Sequence, residues 1–213
     1  MKKLTDLIRG ADENADLKNI FSFNRGIERE TLRVTKDGRI SEQPAPEELG
    51  NILTHPFITA DFAEAQPELI TSVYDSPAKV LGELGKIHAF VAKNLKNELL
   101  WSSSMPCELP TKSRIRTADF GQTNLGRLKG LYRSGLAERY GKEMQTICAI
   151  HYNFSFNEFF WKWLKQKENS NESIKQFKSR RYFDLMRNFR RYSWLLTYLF
   201  GASPAACASF IKT

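Results

Sequence analysis

The chain has 213 residues, of which 41% are hydrophobic and 26% are charged. This balance is that of an ordinary globular protein, and it excludes collagen-like, low-complexity and wholly disordered chains. The net charge of +8 is uneven: residues 1–111 carry 13 basic and 17 acidic side chains, whereas residues 112–213 carry 19 basic and 7 acidic ones. Such asymmetry is compatible with a nucleic acid, a membrane surface or a polyanionic small ligand such as a nucleotide. A chain of this length can bury a large core, so we expect one domain over residues 1–213.

The cysteines and the first residues both bear on the compartment. Cys107, Cys148 and Cys207 are too scattered for a disulfide framework, and the chain has no C-x-x-C pair. Such a chain is typical of a reducing compartment, so we expect a cytoplasmic protein. The opening MKKLTDLIRGADEN has no unbroken apolar run because Asp6 and Arg9 interrupt it, and this pattern predicts that it is not a signal peptide.

The first predicted strand is RGIERETLRV, residues 25–34. Because side chains alternate along a strand, we expect Glu28, Glu30 and Leu32 on one face. Two neighbouring carboxylates repel each other by roughly 4 kcal/mol at close range and an effective dielectric of about 20. A bound cation would remove this repulsion, whereas an exposed strand with alternating charges is the simpler alternative.

The second predicted strand is TADFAEAQPELITSV, residues 59–73, which Pro67 should bulge or confine to a sheet edge. Glu64 and Glu68 are expected to share a face, and Asp61 joins them if a bulge shifts the register. Carboxylates without nearby His or Cys pairs favour magnesium or manganese over zinc. The sequence therefore predicts a hard-cation site, with a solvated strand face as the alternative.

Two helices follow this strand. The first begins at Ser76-Pro77, a typical start signal, and continues with apolar residues at helical spacing. The second covers LGRLKGLYRSGLAERYG, residues 125–141. The segment just before it, Gly121 to Gly126, has the glycine spacing of a P-loop but lacks the Lys-Ser/Thr ending, so a Walker-type phosphate site is excluded.

The third predicted strand is TICAIHYNFSF, residues 146–156. Alternation places His151, Asn153 and Ser155 on one face and the aromatic side chains on the other. A histidine on a polar strand face is a candidate metal ligand or substrate contact, although a lone histidine is more often structural. Strands separated by helices and long loops indicate an α+β fold.

A third helix begins near Ser173 and carries an apolar stripe. Its basic residues, interleaved with aromatic ones, could follow a nucleic acid, but such a run is more often the solvated face of a helix. No residue from 192 to 211 is charged, yet Gly201 and Pro204 interrupt this apolar segment. We therefore expect a buried helix that ends at the GASP sequence rather than a membrane span. Because an apolar stretch stands next to Thr213, we also expect the sequence to be cut short.

Several strings together resemble one family. RGIERETLRV, LTHPFITADFAEAQPELIT, the SMPC turn, GRLKGLYRSGL, RYGKEMQTICAIHYNFSF and YLFGASPA follow one another as in bacterial glutamate–cysteine ligases, also called γ-glutamylcysteine synthetases. The resemblance extends over nearly the whole chain, and its long motifs are specific. Members of the family are considerably longer, so the chain resembles their N-terminal portion. The Gln66–Pro67 pair departs from the apolar pair usual in the family.

The resemblance implies a fold, a reaction and a set of site residues. The fold is α+β, with a glutamine-synthetase-like antiparallel sheet funnel and flanking helices, incomplete in this chain. In the reaction, ATP phosphorylates the γ-carboxylate of glutamate and the amine of cysteine displaces phosphate, which is the first step of glutathione biosynthesis. The implied residues are Glu28 and Glu30 as catalytic groups, Glu28, Glu30, Asp61 and Glu68 as ligands of Mg²⁺ or Mn²⁺, and Tyr132, Gln145, His151 and Asn153 as substrate contacts.

The main hypothesis is thus the N-terminal part of an ATP-dependent ligase catalytic domain, whose partners are glutamate, cysteine, ATP and a missing C-terminal half of the same polypeptide. No nucleic-acid or membrane partner is expected, and we expect the isolated 213-residue chain to be inactive. Residues that bind the nucleotide are not assigned. The alternatives are a basic nucleic-acid-binding module and a catalytically silent fragment. Magnesium-dependent nucleotide binding separates the ligase from a nucleic-acid binder, which instead shows steep salt dependence.

Overall fold

The computed structural model describes residue 20 and residues 22–106, 108–110, 114–201 and 206–211. Cys107 and the opening segment in which no signal peptide is predicted lie outside these residues. Two compact units are formed, one from residues 25–153 and 205–213 and the other from residues 1–24 and 154–204, and each is described by itself. The single domain expected over residues 1–213 stays a prediction.

Two sheets carry the strands. A four-stranded sheet has the order β3-β4-β1-β6, with β1 at Phe23–Glu30, β3 at Ile58–Ala60, β4 at Pro67–Ile70 and β6 at Ile150–Phe156. A two-stranded sheet pairs β2, Arg33–Thr35, with β5, Glu98–Leu100. The pairs β1–β4, β3–β4 and β2–β5 are antiparallel. Together with the helices, these strands confirm the predicted α+β fold.

The structure corrects all three predicted strands. The third, predicted over residues 146–156, begins only at Ile150, because Met144–Thr146 forms a 3-10 turn before it. Residues 25–34 do not form one strand, because the chain leaves the larger sheet after Glu30 and enters the smaller sheet at Arg33. Leu32, expected beside Glu28 and Glu30, lies between the strands and is fully buried. Residues 59–73 form a hairpin rather than one bulged strand. Pro67 begins β4, and the turn before it is closed by hydrogen bonds from Asp61 N–H to Gln66 O and from Gln66 N–H to Ala63 O.

Five α-helices lie wholly within the described residues. The three predicted helices are confirmed as α1, Pro77–Asn94, α2, Asn124–Tyr140, and α4, Ile174–Phe200. Hydroxyls of Thr123 and Ser173 accept the N3 amide hydrogens of α2 and α4, as N-cap residues do. Two further helices were not predicted, namely α3, Glu158–Lys167, and α5, Ala208–Ile211.

The unit of residues 25–153 and 205–213 is held together by an apolar core and by one buried cation. Phe62, Leu69 and Ile115 are at most 1% exposed. Arg33 is equally buried, and its guanidinium donates to Glu98 Oε2 at 2.8 Å and to the carbonyls of Gln43, Pro44 and Glu64 at 2.7–3.2 Å. Both the charge and most of its N–H groups are thus satisfied within the unit.

The unit of residues 1–24 and 154–204 has an aromatic core at one end of α4. Phe160, Trp161 and Phe177 are buried there, and the Phe156 and Phe160 rings stack at 4.1 Å between centroids. Farther along α4 the expected burial is wrong, since Tyr198 and Phe200 are about 80% exposed. The reason is that the described residues packing on α4 contact its first half. Within the described parts of the chain, no helix is both long and apolar enough to cross a membrane.

Candidate metal and substrate site

The site forms where β1 and β6 lie side by side. Glu28 on β1 accepts a hydrogen bond from Asn153 Nδ2 at 2.8 Å, and its other oxygen lies 3.1 Å from His151 Nδ1. Both partners are on β6, two residues apart, so they point to the same face of the strand. The predicted placement of His151 and Asn153 on one face is confirmed by these contacts, which fix the Glu28 carboxylate at two points.

Glu30, two residues along β1, faces the same side. Its Oε2 accepts the Ala149 N–H at 2.8 Å, and its Oε1 lies 3.9 Å from His151 Nε2. The side chain is 7% exposed, compared with 33% for Glu28. The main-chain donor therefore holds one oxygen of Glu30 and leaves the other directed towards the histidine.

Glu68 completes the arrangement from β4. In the sheet it lies opposite Glu30 on β1 and opposite Thr59 on β3. One ligand atom each from Glu28, Glu68 and His151 lie within 4.8 Å of one another, a spacing at which one cation can contact all three. Three strands, rather than one loop, determine this spacing, so the positions of the ligand atoms are built into the sheet.

Asp61 reaches the same region from the turn between β3 and β4. It is partly buried, and its charge acts on Glu30 and Glu68. The sequence predicts that Asp61 joins Glu68 only if a bulge shifts the register of one long strand. The structure has a hairpin instead, and its turn reverses the chain between Asp61 and Glu68. We call these groups the acidic cluster, which consists of Glu28, Glu30, Asp61, Glu68 and His151.

The pKa values in the acidic cluster reflect burial first and neighbouring charges second. Burial raises the pKa of Glu30 and of Asp61. Burial, followed by the charges of Asp61, Glu28 and Glu30, raises the pKa of Glu68 to about 7. The pKa of His151 is also raised, chiefly by its hydrogen bond to Glu28. Burial is the largest cause for all three carboxyls, and in Asp61 the charges of Arg133 and His151 oppose it, whereas in Glu68 the neighbouring carboxylates add to it.

The donor set suits a hard divalent cation. Oxygens from several carboxylates and one imidazole nitrogen are the combination that Mg²⁺ and Mn²⁺ accept, and no thiolate belongs to the acidic cluster. The carboxylates of Asp61, Glu28 and Glu30 help to raise the pKa of Glu68, and a bound cation would offset their charge, because a positive charge favours the ionised carboxylate. The residues present therefore fit such a metal.

Two other predicted substrate residues lie on neighbouring elements. Tyr132 is on α2 and is 64% exposed, next in sequence to Arg133. Gln145 is partly buried in the 3-10 turn Met144–Thr146, which precedes β6. Their roles as substrate contacts stay predictions, as do those of His151 and Asn153.

Glu64 lies outside the acidic cluster, so the prediction that it shares a face with Glu68 is wrong. Its carboxylate accepts the Ala45 N–H at 3.0 Å and the Asp119 N–H at 3.3 Å. The cause is the turn, since Glu64 stands at its tip, whereas Glu68 is inside β4. Glu64 is thus a structural carboxylate whose charge is balanced by main-chain donors.

Sequence reasoning missed two residues that support the site. Gln66 is fully buried and accepts the Ala63 N–H through Oε1 at 3.2 Å, which fixes the turn between Asp61 and Glu68. Arg133 on α2 donates to the carbonyls of Ala60 and Asp61. Gln66 acts within an irregular turn, and Arg133 acts on residues far away in the sequence. The periodicity of apolar and polar residues indicates neither kind of contact.

The basic residues of α4 are largely engaged in ion pairs. Arg180 pairs with Glu172 at 2.7 Å, Arg187 pairs with Asp184 at 2.6 Å, and Arg181 contacts both Glu168 and Asp184. A nucleic acid would have to displace these carboxylates. This arrangement favours the solvated-face interpretation of the basic run over a nucleic-acid interface.

Two solved structures share this architecture, and both are named as ligases or synthetases. A glutamate–cysteine ligase from Francisella tularensis, solved in complex with AMP, matches with a TM-score of 0.83 and 44% identity over 90% of this chain and 37% of that one. A bifunctional glutathione synthetase from Pasteurella multocida matches with a TM-score of 0.82 and 32% identity over 93% of this chain and 26% of that one.

Sequence comparison narrows the class to one family. The glutamate–cysteine ligase family model matches residues 8–213. The ligase of Alcanivorax borkumensis is 50% identical over 94% of this chain, and that of Pseudomonas aeruginosa PAO1 is 54% identical over 93%. The chain belongs to the glutamate–cysteine ligase family, and it spans 38% of the length of these two relatives. The resemblance drawn from the sequence motifs is confirmed.

Proposed function

We propose that this chain provides the divalent-metal site of an ATP-dependent ligase that joins the γ-carboxyl of L-glutamate to the amine of L-cysteine through a γ-glutamyl phosphate. The observation that carries the proposal is the convergence of Glu28, Glu68 and His151 in a member of the glutamate–cysteine ligase family. Because the chain spans 38% of its relatives, the activity and its substrates are proposed for the whole ligase. A cytoplasmic location and the absence of nucleic-acid and membrane partners belong to the same proposal.

The chemistry explains why such a reaction uses a cluster of carboxylates. A carboxylate is a poor electrophile, so amide formation requires its activation by phosphoryl transfer from ATP. The triphosphate and the substrate carboxylate are both anionic, and divalent cations neutralise the charge that develops between them. Glu28, Glu30, Asp61 and Glu68, with His151, would hold Mg²⁺ or Mn²⁺ for this purpose.

The protein's own contribution is to fix these ligands before substrates arrive. Asn153 and His151 hold Glu28, and the Ala149 N–H holds one oxygen of Glu30. Such partners set the orientation of metal-binding groups and are typically worth 10–100-fold in metal affinity or activity. Glu28 and Glu30 are the proposed catalytic carboxylates, since the cations that they would hold would neutralise charge at the reacting phosphate.

Four residues are proposed to contact the amino-acid substrates: Tyr132, Gln145, His151 and Asn153. Tyr132 offers an exposed phenol on α2, and Gln145 offers an amide beside the start of β6. Both carry polar groups of the kind that bind an amino acid's ammonium or carboxylate. AMP binds the Francisella tularensis relative, which supports a nucleotide as co-substrate for this ligase as well.

A chimeric ligase tests the proposal. The matching N-terminal portion of the Pseudomonas aeruginosa ligase, which is 54% identical over 198 residues, is replaced by this chain. With Mg²⁺, ATP, glutamate and cysteine, the chimera is expected to release phosphate and form γ-glutamylcysteine. Glu28→Gln is expected to lower this rate at least about 100-fold, because losing a ligand should cost at least as much as losing a group behind it.

Glu172→Gln in the same chimera is the matched control, since it also removes one carboxylate but from the ion pairs of α4. It should leave the rate within about twofold. A chimera that folds and binds Mn²⁺ yet forms no dipeptide would contradict the proposal. So would a Glu28→Gln chimera that retains the full rate.

A further inference from the structure

Arg133 makes three hydrogen bonds, and two of them connect α2 to the chain at Ala60 and Asp61, where the turn after β3 begins. Its Nη2 donates to Ala60 O at 3.0 Å, its Nε donates to Asp61 O, and its Nη1 donates to Lys129 O at 3.1 Å on its own helix. The guanidinium also lies over the Phe120 ring, with its central carbon 4.2 Å from the ring centroid. All of its nitrogens are therefore engaged, and its plane is fixed by the stacked ring.

The carbonyls that Arg133 binds have few other donors available. β3 stands at the end of the strand order in its sheet, so its outer side has no neighbouring strand among the described residues. Within the turn, Gln66 N–H donates to Ala63 O rather than back to Asp61. The guanidinium thus supplies hydrogen bonds at the point where the sheet hydrogen bonding ends.

The position and the charge of Arg133 have opposite consequences for a cation. Its positive charge is close enough to act on both Asp61 and Glu68, and it would repel a second cation bound there. Its hydrogen bonds instead hold the main chain of Asp61 and so fix where that carboxylate stands relative to Glu68 across the hairpin. The two effects predict changes of opposite sign when Arg133 is replaced.

We infer that Arg133 is a positioning residue, whose paired hydrogen bonds to Ala60 O and Asp61 O present the Asp61 carboxylate to the acidic cluster as a metal ligand. The inference rests on the proposed function, because it assumes that the acidic cluster binds a divalent cation. It goes further because it assigns a role to the Arg133 side chain, which is not itself a metal ligand. Lysine keeps the positive charge but lacks the planar guanidinium group that donates the paired hydrogen bonds. Arg133→Lys therefore separates the effect of the charge from the effect of the hydrogen bonds.

The experiment measures Mn²⁺ binding to the full 213-residue chain. Free Mn²⁺ is counted by electron paramagnetic resonance, and water-proton relaxation reports the water molecules on each bound ion. Arg133→Lys and Arg133→Met are both expected to weaken binding about tenfold. Asp61→Asn is measured as a reference. Each Arg133 variant should raise the water-proton relaxation per bound ion towards the value measured for Asp61→Asn, because a water molecule takes the place of the Asp61 carboxylate on the ion when Asp61 is misplaced.

Arg139→Met is the matched control, since Arg139 is on the same helix and lies over the Tyr140 ring. It should bind Mn²⁺ as the unmodified chain does. Far-ultraviolet circular dichroism checks that each variant is folded, and Arg133→Lys serves if Arg133→Met does not fold.

Four results would overturn the inference. Tighter binding in Arg133→Met with unchanged binding in Arg133→Lys would show that Arg133 acts through charge alone. Unchanged binding in both variants would show that it has no role in binding. Weaker binding in Arg133→Lys with no effect of Asp61→Asn would show that it does not act through Asp61. If the unmodified chain binds no Mn²⁺, the proposed metal site itself fails, and the inference fails with it.

Discussion

Carboxylates occur in two contrasting settings in this chain. Glu172, just before α4, and Asp184, within α4, each face an arginine of that helix at 2.6–2.7 Å, and hydrogen bonds from those arginines lower the pKa of both carboxyls. In the acidic cluster, burial and neighbouring carboxylates raise the pKa of Glu68 to about 7. Glu172 and Asp184 are paired with arginines of α4, whereas Glu68 lies among carboxylates whose charge raises its pKa, so we expect a bound cation to act chiefly on the acidic cluster. The difference lies in the partners and not in the residue type.

The largest effect is expected from removing one partner of a buried ion pair, that of Arg33 and Glu98. Arg33→Met removes the cation that faces Glu98 at 2.8 Å and leaves the Glu98 carboxylate and three carbonyls without it. We expect the free energy of unfolding to fall by about 3–5 kcal/mol. Urea unfolding at pH 7.5 measures the loss. The change should be the same with and without Mg²⁺, and a loss below about 1 kcal/mol would contradict this account of Arg33.

The pH dependence of stability should reveal the unbalanced carboxylates. A carboxyl whose pKa is higher in the folded state stabilises the protein below its unfolded pKa, and that stability is lost as pH rises. For Glu68 the window runs from 4.5 to about 7, which corresponds to about 3 kcal/mol. Glu30, Asp61 and His151 change in the same direction as pH rises.

His88 opposes this trend, because burial and then Arg29 lower its pKa, so the stability that it contributes is lost as pH falls. Urea unfolding without divalent ions, from pH 5 to pH 8, measures the net slope. Comparing the unmodified chain with Glu68→Gln isolates Glu68, since both retain His88. A chain that becomes more stable relative to Glu68→Gln as pH rises would refute the assignment.

Glu68→Gln should stabilise the metal-free protein at pH 8. The change removes a carboxylate that is repelled by Asp61, Glu28 and Glu30, while the amide keeps the shape of the side chain. We expect a gain of about 1–3 kcal/mol, less than the full shift because the amide is also partly buried. Thermal unfolding in the presence of a chelator checks it. A destabilised variant would mean that Glu68 makes favourable contacts that outweigh the repulsion.

Glu64→Gln is the matched substitution on the same hairpin, and we expect it to lower stability where Glu68→Gln raises it. Its carboxylate accepts the N–H groups of Ala45 and Asp119, so the weaker acceptor should lower stability by about 1–2 kcal/mol. Because Glu64 lies outside the acidic cluster, the response to Mg²⁺ should be unchanged. Differential scanning fluorimetry with and without Mg²⁺ measures both effects. A lost Mg²⁺ response in this variant would place Glu64 in the metal site.

Local alternation was sufficient to predict part of the site. Glu28 and Glu30 on β1, and His151 and Asn153 on β6, follow the two-residue period of a strand, and the structure brings Glu28 into contact with both β6 residues. Pro67 was identified as a disruption, but whether it makes a bulge or starts a new strand depends on hydrogen bonds within the turn.

Other parts of the site depend on contacts that the sequence does not display. Arg133 lies 72 residues from Asp61, and on α2 it stands among other basic residues without any distinguishing pattern. Gln66 supports the turn through a side-chain bond to Ala63. The period-two rule placed Glu64 with Glu68, and it failed because the rule holds only within a strand. The exposed apolar side chains of α4 could not be foreseen either, since burial depends on which elements pack there.

The central claim is that the acidic cluster is balanced by a divalent cation, and the response of unfolding to Mg²⁺ tests it most directly. Unfolding at pH 8 is followed for the unmodified chain and for Glu68→Gln, with Mg²⁺ raised from zero to about 100 times its dissociation constant. Linkage predicts a stabilisation of about 2.7 kcal/mol for the unmodified chain at that concentration. Glu68→Gln should start more stable and gain much less. Equal gains in the two proteins, or no gain in the unmodified chain at millimolar Mg²⁺, would contradict the account.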